Sequence, residues 1–408
     1  LGRDVQMIPH VTGEVKMRLR ELAMNTDADA VFIEVGGTVG DIENSFYIEA
    51  LRELSYEEGP EQVCFACLCY VLAPPALGEQ KSKAAQLGIK RLMEYGVHPH
   101  VIACRAEQVV GQKVLEKISL FTNVPVERVF SMHDLPSIYL LPENMRESGL
   151  DVEVVKQLGL EDRVDKIKEE KHRVAWQGYV EKIQRDKPVV RIGVTGKYVS
   201  LRDSYASIIK AIEHAGIANE VEAEIVWIET TDINESNVAD ILAGVDAIIV
   251  PGGFGKRGTE GKILCIEHAR KTGLPYLGIC LGFQMAVIEF ARNVCGLAGA
   301  TSSELDSDTP HPVISILPEQ KKIEGLGGNM RLGGQDVQIT PGTKAYALCG
   351  EQTMIRERFR HRYEVDPSYI AQLEAKGLVF SGRHPEHEIM QVLELPTEMH
   401  PYFVAAQY

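Results

Sequence analysis

The chain has 408 residues, is 45% hydrophobic and carries a net charge of −15. That is enough apolar content for two cores and the wrong sign for non-specific nucleic-acid binding. It has no run of about 18 apolar residues to mark a membrane span and no leader pattern, and its eight unevenly spaced cysteines are not a disulfide framework, so a cytoplasmic protein is expected.

The chain opens on Leu1 and closes on an apolar run, residues 402–408, without a turn or cap. Both ends read as cut, so an internal portion of a longer protein is expected. Val31-Phe32-Ile33-Glu34-Val35 leads into Gly36-Gly37, the form of a parallel strand entering a loop. Residues 63–72 and 100–104 read as buried strands, and residues 83–95 and 112–117 have helical spacing. This rhythm predicts an α/β domain over residues 1–150. Cys64, Cys67 and Cys69 lie in one of its apolar runs, with no second Cys/His pair to complete a metal site, and read as core. Charges crowd residues 151–187, a helical connector. A second α/β domain follows over residues 188–408. Its predicted strands are 189–194, 224–228, 247–250 and 274–279, its helices 204–214 and 282–291, and its later hairpin segments 336–339, 378–381 with 388–395, and 402–408. Gly193-Val194-Thr195-Gly196-Lys197-Tyr198 looks like a phosphate loop, but the glycine spacing is too short and Tyr198 stands where a metal-holding hydroxyl belongs; a tight strand-to-loop turn is expected.

The chemistry-bearing segment is Gly278-Ile279-Cys280-Leu281-Gly282. An apolar strand ends at Cys280 and a helix starts at once, with glycines two residues to either side. A nucleophile on so sharp a turn needs neighbours without side chains. The helix N-terminus is expected to lower the thiol pKa, and the Leu281 N–H to face a developing oxyanion. Pro251-Gly252-Gly253-Phe254-Gly255, after the neighbouring strand, offers a second donor. The other cysteines outside the first domain's apolar runs (Cys265, Cys295, Cys349) and Cys104 lack such a setting.

These segments resemble the triad-type glutamine amidotransferases. With Arg257-Gly258-Thr259-Glu260-Gly261-Lys262 and Arg360-His361-Arg362-Tyr363-Glu364-Val365, they look like the glutaminase domain of the CTP synthase family. Upstream, Ile8-Pro9-His10-Val11-Thr12 and Glu34-Val35-Gly36-Gly37-Thr38-Val39-Gly40-Asp41-Ile42-Glu43 look like that family's amidoligase domain. The resemblance covers almost the whole chain. It implies two doubly wound parallel-sheet domains, one P-loop-like and one flavodoxin-like.

By resemblance, Cys280 attacks the glutamine amide, Gly253 and Leu281 hold the oxyanion, and Gln284, Glu304 and Arg362 hold the glutamine. A carboxylate suits the α-amino group and a guanidinium the α-carboxylate; Arg360 is the alternative to Arg362. The resemblance places the base in a His-Pro-Glu directly after an apolar strand. That strand is matched by His400-Pro401-Tyr402-Phe403-Val404-Ala405-Ala406-Gln407-Tyr408, so the base is expected just past Tyr408. His384-Pro385-Glu386 reads instead as a polar hairpin tip. In the first domain, Glu34 matches a Mg2+ ligand. Asp41, Ile42, Glu43, Lys81, Ser82, Lys83, Gln86 and Lys117 match UTP/CTP contacts, and Leu135 an adenine contact for ATP. Ala84-Ala85 replaces the family's usual Pro-Thr, and its nucleotide-phosphate loop and a second metal carboxylate are expected before Leu1.

The implied reaction is amination of UTP to CTP, driven by ATP, with ammonia taken from glutamine and led along an internal path. GTP is implied as activator, with Phe254 and Arg257 in its region, CTP as feedback inhibitor, and a homotetramer as the assembly. A γ-glutamyl hydrolase with a fused regulatory domain and a catalytically impaired regulatory paralogue are the alternatives. Glu34, Asp41 and Glu43 argue against the first; Ala84-Ala85 and the cut ends are the support for the second.

Overall fold

A computed structural model describes residues 4–75, 78–196, 202–317 and 330–408. The chain divides into two compact units, Leu1–Glu181 and Lys182–Tyr408.

Unit 1 runs α1 (Thr12–Thr26), α2 (Ile42–Glu58), β1 (Ala66–Tyr70), α3 (Lys83–Glu94), β2 (Val101–Ala106), α4 (Gln112–Thr122), β3 (Val129–His133), α5 (Leu141–Ser148), α6 (Leu150–Gln157) and α7 (Lys166–Gln184), the last reaching into unit 2's first residues. The strands form a parallel sheet in the order β1-β2-β3. Alternation along β2 sends Ile102, Cys104 and Ala106 to one face, against Ala85 and Ile89 of α3 and Ile118 of α4. Val101 goes to the other, with Phe130, Met132 and Leu150. Helices thus cover both faces, the doubly wound arrangement.

Two expectations fail here. Residues 31–35 form no strand, and Phe32 is almost fully exposed. A strand needs a ladder partner for its N–H and C=O groups, and among the described residues β1 pairs with β2 alone. For the same reason the run 63–72 is not buried throughout: β1 is an edge strand, and Leu68 and Tyr70 stand exposed. Its cysteines are core-like as expected. Cys67 is buried, and burial pushes its thiol up to about 12. Cys69 Sγ lies 3.7 Å from Cys104 Sγ.

Unit 2 runs β4 (Val189–Gly196), α8 (Ala206–Ala218), β5 (Glu222–Glu229), α9 (Val238–Leu242), β6 (Ala247–Val250), α10 (Thr259–Thr272), β7 (Tyr276–Ile279), α11 (Leu281–Asn293), β8 (Thr301–Ser302), β9 (Pro312–Ser315), β10 (Arg331–Ile339), α12 (Lys344–Leu348), β11 (Met354–His361), β12 (Glu364–Val365), α13 (Pro367–Glu374), β13 (Val379–Arg383), β14 (Met390–Glu394) and β15 (Phe403–Ala406). Nine strands make one sheet, β11-β10-β13-β14-β15-β7-β6-β4-β5. From β15 to β5 the neighbours are parallel; from β11 to β15 they are antiparallel. The expected parallel sheet is therefore half of a larger mixed one. β4 runs on through Gly193 to Gly196, so there is no turn at Gly193; Lys197 and Tyr198 lie outside the described residues. A large core binds α10, α11 and α13 to one side of the sheet.

Candidate active site

In open α/β sheets the loops at the carboxyl ends of the strands form the binding crevice. β6, β7 and β15 are parallel neighbours, so the segments that follow them emerge side by side. They are the Pro251–Gly255 loop, Cys280, and Gln407 with Tyr408.

Cys280 has φ 52° and ψ −100°, a left-handed backbone that residues with a side chain seldom adopt. Close packing makes the turn possible. A Cβ on Gly282 would lie 2.1 Å from the Val250 carbonyl oxygen, and one on Gly278 would lie 2.8 Å from Ala405 Cβ and 2.9 Å from the Gly282 carbonyl carbon. The bracketing glycines are thus a steric requirement, as the sequence pattern implied. The Tyr276 hydroxyl, fully buried, donates to the Gly282 carbonyl at 2.8 Å and ties strand to helix. The Cys280 N–H donates to Ala406 O at 2.7 Å.

The thiol does not behave as the helix N-terminus alone suggested. The Leu281 N–H and the Gln407 amide do lower its pKa, but burial outweighs both, and the carboxylates of Glu364 and Glu304 add to the rise. Removing a charge from water costs more than one turn of helix returns. Burial therefore favours the protonated form of Cys280.

Around it the structure gathers several expected residues. Gly252 and Gly253 pass close to the elbow: a Cβ on Gly252 would lie 3.5 Å from Cys280 Cβ, and one on Gly253 would lie 3.4 Å from Leu281 Cδ2. Glu304 accepts from the Gly255 N–H at 3.2 Å, joining the glycine loop to the predicted amine-binding carboxylate. Glu304 and Arg362 both act on the Tyr363 phenol, which burial chiefly raises, Glu304 raises further and Arg362 lowers. Arg362 is exposed, as is Arg360 on β11. Gln284 is buried, and its Nε2 donates to Tyr363 O at 3.0 Å and Gln407 Oε1 at 3.3 Å. Below lies a buried polar group: Glu364 Oε1 is 2.8 Å from both Arg331 Nε and His361 Nε2. Phe254 and Arg257 are exposed on the glycine loop and beyond it.

The histidines divide as expected. His384 lies where β13 turns into β14; its Nδ1 accepts from the Glu386 N–H and its ring stacks on His387. His400 is buried, with one ring nitrogen 3.0 Å from Ala269 O and the other accepting from the Tyr402 N–H. Among the described residues the side chain bonded to Cys280 Sγ is Gln407, at 3.6 Å. Sequence reasoning missed Gln407 and the Tyr363 carbonyl. The signal for Gln407 was its place directly after a strand parallel to β7.

In unit 1 the expected nucleotide residues scatter more. Glu34 is exposed and lines a cavity of about 430 Å³ with Val15, Leu19, Asn44, Tyr47 and Leu51. Asp41 precedes α2, and its carboxylate accepts from the Thr38 N–H at 3.0 Å; Ile42 and Glu43 are exposed in the first turn. Glu79 is paired with Lys81 and is pulled down by Lys81 first and also by Lys117, so both lysines face one carboxylate. Ser82 and Gln86 are buried and bonded to each other at 2.9 Å, and Lys83 lies over the Phe121 ring. Leu135 is half-buried after β3. No group of three or more acidic, His or Cys residues among those described is placed to hold a metal ion.

The family model of the CTP synthase N-terminus matches residues 1–160, and that of class-I glutamine amidotransferases matches residues 200–408. The CTP synthase of Pyrococcus abyssi is 47% identical over 409 residues, spanning 100% of this chain and 74% of that protein. The CTP synthase of Archaeoglobus fulgidus is 46% identical with the same coverage. Among solved structures, the Trypanosoma brucei CTPS glutaminase domain with bound acivicin is 34% identical with a TM-score of 0.50, covering 54% of this chain and 85% of that one. With an elbow cysteine between two sterically required glycines, and relatives aligned along its entire length, the chain belongs to the CTP synthase family.

Proposed function

We propose that this chain performs the CTP synthase reaction: unit 2 takes ammonia from glutamine at Cys280, and unit 1 uses ATP to activate UTP for amination to CTP. The observation that carries this is the left-handed Cys280 elbow beside the glycine loop. Sγ attacks the side-chain amide carbon, and the carbonyl electrons move onto oxygen, where the N–H groups of Gly253 and Leu281 receive them. The nitrogen departs as ammonia, and water hydrolyses the thioester to glutamate and the free thiol. Glu304 takes the substrate amine and Arg362 its carboxylate. Because burial raises the Cys280 thiol, this reading needs a base, and the two candidate histidines at 384 and 400 are otherwise engaged.

In unit 1, transfer of the ATP γ-phosphoryl group to the 4-oxygen of UTP makes that oxygen a leaving group, and ammonia displaces it as phosphate. Lys81 and Lys117 supply charge for the UTP triphosphate, Lys83 reaches it by leaving the Phe121 ring, and Asp41, Ile42 and Glu43 face the nucleotide. Ser82 and Gln86 support the lysine loop from within, and Leu135 packs on adenine. Glu34 offers a single hard oxygen donor, so Mg2+ here would take most of its ligands from nucleotide phosphates and water. The reading extends to GTP activation near Phe254 and Arg257, feedback by CTP at the UTP site, a homotetramer and a cytoplasmic setting. No helix among the described residues is long and apolar enough to cross a membrane.

The test is twofold. A glutamine-derived diazo-ketone should label Cys280, located by peptide mapping. In the enzyme, Cys280→Ala should keep ammonia-dependent CTP formation and lose the glutamine-dependent reaction. Loss of both activities in a folded variant refutes the reading.

A further inference from the structure

We propose that Gln407 donates the hydrogen bond that stabilises the Cys280 thiolate, and that Gln284 holds the Gln407 amide in the orientation needed to do so. The parallel register of β15 and β7 pairs Ala406 with Ile279, which sets Gln407 abreast of Cys280. Gln407 is fully buried. Its Nε2 lies 3.6 Å from Sγ, and its Oε1 accepts from Gln284 Nε2 at 3.3 Å.

An amide presents an acceptor at one end and donors at the other, so orientation decides its effect. Here the orientation is imposed in sequence. The Tyr363 carbonyl only accepts, so the Gln284 end facing it, at 3.0 Å, must be the NH2. That NH2 also faces Gln407, which must answer with its oxygen, leaving its own NH2 toward the sulfur. A flipped Gln407 would set two donors against each other and an oxygen against the thiol. An N–H to a thiolate is a charge-assisted bond, stronger than the same contact to a thiol, so Gln407 favours the reactive form.

Glu364 on β12 and Glu304 beyond β8 oppose the thiolate, as does burial, and the Leu281 N–H of α11 assists it. The catalytic meaning of the bond rests on the glutaminase reading above; the bond itself does not.

The test is the pH dependence of iodoacetamide alkylation at Cys280, followed by peptide mapping, since iodoacetamide carries no glutamine recognition. Gln407→Met and Gln407→Glu fill the same space, so a merely structural role would survive both. A bond to a charged partner at the weak end of the usual range corresponds to a rise of about one pH unit in the midpoint. Gln407→Met should show that rise, Gln407→Glu at least as much, and Gln284→Met a smaller one. A midpoint unmoved in a Gln407→Met protein of parental near-UV dichroism overturns the proposal; should the Met variant not fold, Gln407→Leu, equally without donor or charge, decides. Diazo-ketone labelling of the parent separates the two readings. Labelling without a midpoint shift removes the hydrogen bond alone, and a shift without labelling removes the glutaminase reading alone.

Discussion

Replacing Gly282 with Ala tests the elbow at its tightest point. The new methyl carbon would stand 2.1 Å from the Val250 carbonyl oxygen and 3.0 Å from the carbonyl carbon. Both are backbone atoms at the end of β6, so no side-chain rotation relieves the clash. About 1 Å of separation must come from lifting the first turn of α11 off the sheet, and overpacking of that kind costs about 3 kcal/mol, the upper part of its usual range. In a unit of this size that is a fall of roughly 6–12 °C in melting temperature. The two tryptophans make the assay specific: Trp176 belongs to unit 1 and Trp227, on β5, to unit 2. In a Trp176→Phe background, thermal melting followed by Trp227 fluorescence reports unit 2 alone. Gly244→Ala is the control, because its Cβ would meet nothing within 4 Å. The steric account of the elbow is refuted if Gly282→Ala melts within about 2 °C of the control, the shift expected for well under 1 kcal/mol.

Other outcomes are as definite. Cys280→Gly should melt above Cys280→Ala by a margin equivalent to about 1 kcal/mol, because only glycine sits at φ 52° without strain; equal melting points would contradict that strain. The buried Glu289 carboxylate is held by Arg270 through contacts of 2.7–3.1 Å. Arg270→Met should cost about 3–5 kcal/mol in urea unfolding, as expected for an orphaned buried charge, and more than Glu289→Gln. Burial raises the Cys265 thiol from 9.0 to about 12. The neutral form is the one the fold favours, so this contribution is whole below pH 9 and drains away as pH rises toward 12. Cys265→Ala should therefore lose stability more slowly than the parent between pH 9 and 11, and parallel curves would sink the argument. Lys117→Ala should weaken UTP binding several-fold in calorimetry, more at low salt than at high, while Lys90→Ala, whose ammonium rests on the Phe121 ring, leaves it unchanged.

Much of the site was legible because its constraints are local. Gly278, Cys280 and Gly282 lie within one turn, and the steric need that links them shows directly as spacing. The strands of unit 2 were legible as apolar runs because strands covered on both faces carry no polar alternation. Residues 31–35 show the limit of that signal: four of the five are apolar, and nothing in the run records whether a ladder partner stands alongside. The thiol pKa failed for a similar reason. The helix start that lowers it is adjacent in sequence, whereas the burial that raises it is assembled from distant segments. Gln407 lies 127 residues from the sulfur it touches and became visible only through the pairing of β15 with β7.

The helix that carries the nucleophile is enclosed over eleven consecutive residues, Leu281 to Ala291. For anyone seeking to redirect this site to other amides, that enclosure sorts the useful mutations from the ruinous ones. Libraries spread over Leu281 to Ala291 would yield mostly misfolded clones, since every one of those positions faces packed neighbours. Diversity belongs on the exposed rim, at Phe254, Lys256, Arg257 and Arg362, where new side chains meet solvent and the scaffold beneath stays as it was.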